Sequence, residues 1–257
     1  KSSPCGMKWL LNLFPRPLLI QLSIWLRPLI KIYYKGNRFT DPIDGSSYRK
    51  FLPYGYQKLR SNALCPGTLS LERHRLLWLY LSRETDFLKK NIRVLHIAPE
   101  QVFYATFKAL KNWDYTTTDL HSPLADVKAD ICALRFENDH YDLIFCNHVL
   151  EHIPDDQKAM KELYRILKKG GTLIAQVPLD ENRNATFEDA TVTDSKERTR
   201  IFGQYDHVRI YGLDYYERLN AIGFDARGIA YLKSLSKEEI QRFGLPKAER
   251  IPVAVKN

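Results

Sequence analysis

From Ile92 onward, short apolar runs alternate with amphipathic stretches of helical length, and this alternation constrains the fold more than any other feature. Residues 92–98 read as a buried strand. A helix is expected over 101–111, with Val102, Phe103, Phe107 and Leu110 on one side. Further strands are expected at 114–118, 125–129, 141–146 and 171–177, with a helix over 155–168. Gly170-Gly171 is expected to stop that helix as a C-terminal cap. Beyond a polar loop at 180–206, the pattern predicts a helix at 213–221, a strand at 224–230, a helix at 236–243 and a strand at 251–255. Strands and helices taken in turn imply an α/β fold, doubly wound about a mostly parallel seven-stranded sheet. Ligands of such sheets gather beyond the carboxyl ends of the strands.

The N-terminal part has a different character. Residues 1–60 hold eleven Lys and Arg against only Asp41 and Asp44, whereas 61–257 hold 28 of each sign. The net charge of +9 therefore belongs to the N-terminal segment, and a neutral body argues against a broad nucleic-acid groove. Residues 9–34 are apolar but broken by Pro15, Arg16, Pro17, Arg27, Pro28 and Lys31. The longest uncharged run, 17–26, is about half of the ~20 residues that cross a bilayer. With Trp9, Trp25, Tyr33 and Tyr34 set among basic residues, 7–35 suits either an amphipathic element on a membrane surface or an arm packed on protein. Residues 38–56 read as a hairpin region turning at Asp44-Gly45, and 69–89 as a helix. The expected division is a basic helical and hairpin extension over 1–68 and an α/β domain over 69–257.

Cys5, Cys65, Cys132 and Cys146 include no C-x-x-C pair, which fits free thiols in a reducing compartment. No signal peptide is visible, so a cytoplasmic location is expected, with the inner membrane face as the place the arm would touch. Asp41-Pro42-Ile43-Asp44-Gly45 and Cys65-Pro66-Gly67-Thr68 trace the outline of a zinc ribbon, but three of the four ligand positions lack cysteine. His148 and His152, four residues apart and beside Glu151, suggest a metal pair. The sequence offers no third ligand, so no metal is expected.

The run Tyr141-Asp142-Leu143-Ile144-Phe145-Cys146-Asn147-His148-Val149-Leu150-Glu151-His152-Ile153, with Lys168-Lys169-Gly170-Gly171, resembles the class I S-adenosyl-L-methionine (SAM)-dependent methyltransferases, type 11 in particular. The resemblance covers about residues 91–230. It implies a Rossmann-like methyltransferase fold, SAM as cofactor, and methyl transfer to a small-molecule or lipid-linked acceptor. It also implies where the cofactor would lie. The first-strand turn of the family reads acidic-x-Gly-x-Gly-x-Gly; here His96 stands at the acid, and Ala98, Glu100 and Val102 at the glycines. His96, Ala98, Pro99 and Glu100 would meet the methionyl part. Asp119 and Leu120 would hold the ribose, Asp130 and Ile131 the adenine, and Asn147 and His148 would line the cleft. For the acceptor, the resemblance points to His152 and the 204–211 segment, with Tyr205, a base from Asp206 and His207, and Arg209 as an anion anchor. The absent glycines motivate an alternative reading, a methyltransferase-like binding or scaffold protein without catalysis.

Overall fold

The computed structural model describes residues 28–55 and 59–257. These fall into two compact units: one runs to Trp78 and takes in Ser236–Pro246, and the other comprises Leu79–Leu235 with Lys247–Asn257. Residues 69–78 and 236–246 thus group with the N-terminal hairpins, whereas the sequence suggests a division after residue 68.

The larger unit is built on seven strands: β1 (Ile92–Ile97), β2 (Trp113–Asp119), β3 (Val127–Lys128), β4 (Tyr141–Cys146), β5 (Leu167–Ile174), β6 (Phe224–Ile229) and β7 (Ile251–Lys256). Their spatial order is β3-β2-β1-β4-β5-β7-β6. Neighbours from β3 to β5 are parallel, and β7 alone runs antiparallel to both of its neighbours. The order reverses between β1 and β4, the switch point where a doubly wound sheet opens to ligands. Among the described residues after 68 the α-helices are α1 (Glu72–Glu84), α2 (Gln101–Lys108), α3 (Asp156–Ile166), α4 (Ser195–Phe202), α5 (Tyr215–Ile222) and α6 (Lys237–Arg242), of which α6 belongs to the smaller unit. The two-residue period of the strands divides the core. Leu95, Ile97, Ile144 and Cys146 join Ala159, Met160, Leu163 and Ile166 of α3 and Leu219 of α5. His96 and Phe145 instead meet Phe107 of α2 in an aromatic cluster with Trp113 and Tyr115.

Several boundaries depart from the sequence pattern for local reasons. The helix expected to reach residue 168 ends at Ile166, and Gly170-Gly171 lie inside β5 rather than capping α3. Tyr141 pairs with Leu167 but Leu143 with Thr172, so the extra residues bulge, and Gly170 accommodates the turn at a φ of 75°. The supposed loop at 180–206 contains α4, whose N-cap Asp194 accepts from the Lys196 and Glu197 amides and whose end is set by Gly203 in left-handed conformation. It also contains Phe187–Glu188, which pairs with Arg209–Ile210. The 69–89 helix divides into α1 and a short 3-10 turn at Phe87–Lys89.

In the smaller unit, Lys35–Thr40 pairs with Ser47–Tyr48 around the expected Asp44-Gly45 turn, and Leu52–Tyr54 pairs with Arg60–Leu64. Asp41 accepts hydrogen bonds from the hydroxyls of Thr68 and Ser70, so the two turns that outline a zinc ribbon are joined by hydrogen bonds. Cys65 is buried with Phe39, Tyr48 and Phe51, and burial pushes its thiol up to about 11. Arg75 is fully buried, donating to the carbonyls of Ala63, Ser70, Phe243 and Gly244. Residues 28–34 are helical and Lys35 begins the first strand of this unit; residues 7–27 of the arm, with Trp9 and Trp25, lie outside the described residues, as does Cys5. Among the described residues, no helix is long and apolar enough to cross a membrane.

Candidate functional site

The ends of β2, β1 and β4 lie side by side, with Ile97 opposite both Thr118 and Cys146. Beyond Ile97 the chain turns sharply. Ala98 adopts a φ of 47° and donates its amide to Thr118 O at 2.8 Å. A left-handed conformation costs a residue with a Cβ about 1–2 kcal/mol, so glycine is the usual occupant. Here alanine takes the conformation a glycine would. Pro99 is buried, and Glu100 is the N-cap residue of α2. Asn147, beyond β4, donates from Nδ2 to Glu100 Oε2 at 3.1 Å and accepts the Gln176 amide at 3.2 Å. That network fixes the turn after β1 to the ends of β4 and β5.

The His96 ring is fully buried, with Nδ1 2.8 Å from the Tyr115 hydroxyl and Nε2 accepting the Glu100 amide at 3.5 Å, so it supports the turn after β1 from beneath. It occupies the α2 side of β1 because strand residues alternate faces. Asp119 ends β2, and its Oδ1 accepts the amides of His121 and Ser122 at 2.6 Å each. One carboxylate oxygen shapes the loop, which leaves Oδ2 for a ligand. Asp130 does the same with the Cys132 amide at 2.8 Å and is exposed, whereas Ile131 packs into the core. Leu120 is exposed. A left-handed turn, two carboxylates with an open oxygen and an apolar residue at successive strand ends fit SAM by donor chemistry and by placement.

The family model described as "Methyltransferase domain" matches residues 80–175, the stretch that holds these strand ends. Over that stretch the chain is similar to the class I methyltransferases. The cofactor of that class is SAM. Solved structures similar to the chain include the [4+2]-cyclase SpnF, 14% identical, covering 84% of this chain and 91% of that one with a TM-score of 0.52. A putative methyltransferase from Bacillus halodurans is 19% identical over 70% of this chain and 98% of its own, with a TM-score of 0.45. A SAM-dependent methyltransferase from Mesorhizobium loti is 13% identical over 71% and 98%, with a TM-score of 0.49. At 14% identity the likeness to SpnF concerns the fold alone. No curated protein matches the chain.

The larger unit carries a second group of polar residues beyond β4. His148 also stands in left-handed conformation, at a φ of 54°, donates its amide to Gln176 O and approaches Glu151 Oε1 with Nδ1 at 3.2 Å. Leu150–His152 is a 3-10 turn, and Val208 donates its amide to Glu151 O. Arg209 fastens the two segments together. Its Nη1 donates to Leu150 O and Ile153 O, Nη2 to Pro154 O at 2.8 Å, and Nε to Glu188 at 2.9 Å. Arg209 is 2% exposed with its donors engaged, so the expected anion anchor is a structural clamp. Its charge-assisted bonds to loop carbonyls leave no free face for a substrate anion.

The clamp sets the His152 and His207 rings 4.8 Å apart, edge to face. Asp206 Oδ2 lies 3.4 Å from His152 Nδ1, so this carboxylate engages His152, not the adjacent His207 with which the sequence suggests a base. Burial pushes the His207 pKa below the ordinary imidazole value, which favours the neutral ring. Tyr205 is 57% exposed. One ligand atom from each of Glu151, His152 and His207 falls within 4.8 Å of the others. His207, distant in the chain, is brought beside His152 and Glu151 by the Arg209 clamp, and His148 is not part of that group. Buried Arg209 two residues on from His207 is the signal, and its role needs the carbonyls of 150–154 to be visible.

Proposed function

We propose that this chain transfers a methyl group from SAM to a small-molecule or lipid-linked acceptor. The observation that carries the reading is Ala98 in the left-handed turn after β1, beside the open carboxylate oxygen of Asp119. When bound, SAM supplies an electrophilic methyl group. Ala98 and Pro99 keep the backbone close to the methionyl part, Asp119 Oδ2 accepts from the ribose hydroxyls, and Asp130 accepts from the adenine amine. Asn147 and Glu100, bonded to each other, hold the wall between β1 and β4. Alignment of a nucleophile with the methyl group supplies most of the acceleration such a reaction needs. Asp206 and His207, with His152 and Tyr205, are the groups proposed to face the acceptor. The basic residues of the N-terminal arm would favour an anionic membrane surface, which motivates a lipid-linked acceptor.

The test is transfer of label from methyl-tritiated SAM to lipid and water-soluble extracts supplied as acceptor pools. Label entering one pool with the wild-type chain, and not with Asp119→Ala, supports the proposal. Tight binding of S-adenosylhomocysteine with no label in either pool would favour the binding or scaffold reading.

A further inference from the structure

We propose that Glu151, His152 and His207 hold one divalent transition-metal ion, with Zn2+ the ion their chemistry fits best. Two imidazoles and a carboxylate form a donor set that Zn2+ takes with a fourth position open, and Fe2+ or Co2+ take similar sets. The geometry is near closure. Bonds of ~2.1 Å place tetrahedral ligand atoms ~3.4 Å apart, and the three groups already lie within 4.8 Å. Rotamer adjustments of about an ångström complete the site. Asp206, 3.4 Å from His152, is within reach as a further ligand.

A second observation points to a ligand at this place. Glu151 Oε2, His148 Nε2 and Asp206 Oδ1 are buried without hydrogen-bond partners. Native proteins leave few such atoms, and the two carboxylate oxygens on neighbouring residues are answered together by one cation. Glu151 is 1% exposed, so its carboxylate cannot turn to bulk water. A hydrogen-bonded His152–Asp206 pair accounts for Asp206 Oδ2 but leaves all three atoms unsatisfied. A cation answers the carboxylates of Glu151 and Asp206, while His148 orients Glu151 through its other oxygen. Arg209 and the Tyr211–Asp156 hydrogen bond of 2.7 Å hold the two segments in place before any ion arrives.

The site stands independently of the methyl-transfer reading. Should both hold, the open position would take an acceptor oxygen and ease its deprotonation. The test uses the full chain without a histidine tag, stripped with a chelator and titrated with Co2+ and then Zn2+. Visible absorption reports Co2+, and elemental analysis reports Zn2+. One equivalent bound at micromolar or better affinity, weakened at least tenfold in both His152→Ala and His207→Ala, supports the proposal. His152 is partly exposed, so its truncation leaves the core intact, and circular dichroism identifies any variant that fails to fold. S-adenosylhomocysteine titration of the same variants separates the two readings, because a metal-site variant should retain nucleoside binding. Absence of metal binding, or equal affinity in the wild type and the folded variants, would overturn the site.

Discussion

Replacing Ala98 with glycine should stabilise the larger unit while leaving cofactor binding in place. Ala98 holds a φ of 47° immediately after β1, a conformation that costs a Cβ-bearing residue about 1–2 kcal/mol. Glycine removes that cost but makes the unfolded chain more flexible, which returns about 0.4–1 kcal/mol. The difference favours the variant by about 1 kcal/mol, or roughly 2–4 °C in melting temperature for a domain of this size. Ala98→Val should behave oppositely, because a β-branched residue at positive φ is a marked outlier and strain of this kind costs about 1–3 kcal/mol. Thermal melts with and without S-adenosylhomocysteine check both. A glycine variant that melts lower, or a valine variant that melts and binds like the wild type, would refute the assignment of this turn as the glycine substitute.

Other expectations are sharper for particular residues. Asp119→Asn keeps the oxygen that accepts from His121 and Ser122 but removes the charge. It should fold normally and bind S-adenosylhomocysteine ten- to a hundredfold more weakly, since charge-assisted hydrogen bonds contribute about 1.5–3 kcal/mol; unchanged affinity in calorimetry would place the ribose elsewhere. Arg75→Met leaves the carbonyls of Ala63, Ser70, Phe243 and Gly244 without that donor and should cost at least about 3 kcal/mol in urea unfolding. Arg75→Lys should recover little, because one ammonium cannot reproduce the guanidinium fork. Hydrogen bonding by Arg165 holds Glu162 below the ordinary glutamate range. A depressed folded-state pKa contributes stability above the unfolded value and loses it as pH falls, so the wild type should lose its advantage over Glu162→Gln below about pH 4.3. A difference between the two that grows with acid would contradict the pairing.

The sheet was legible because its strands are short apolar runs separated by helices of helical period, and the ends of β1, β2 and β4 follow from that pattern. Asp119 and Asp130 could be placed because their strands end where the apolar runs end. The state of Ala98 could not be read, since backbone φ depends on what the turn must join and alanine is a rare occupant of it. His96 stands at the turn by its position in the motif, while strand alternation sends its ring to the aromatic side of the sheet, beneath that turn. Gly170-Gly171 carries the usual signature of a helix cap, but the pairing of Tyr141 with Leu167 starts the strand earlier and turns the glycines into a bulge. Arg209 looked like a substrate contact because an arginine in a polar loop usually is exposed. Its partners are backbone carbonyls, which no residue pattern reveals, and the same blindness hid His207 as the neighbour of His152.

Calorimetric titration of the full chain with S-adenosylhomocysteine tests the central claim most directly. The strand-end site predicts one equivalent bound with micromolar affinity, and a loss of that binding in Asp119→Ala. No heat of binding with a folded chain, or binding untouched by that substitution, would contradict the assignment of these strand ends as the cofactor site.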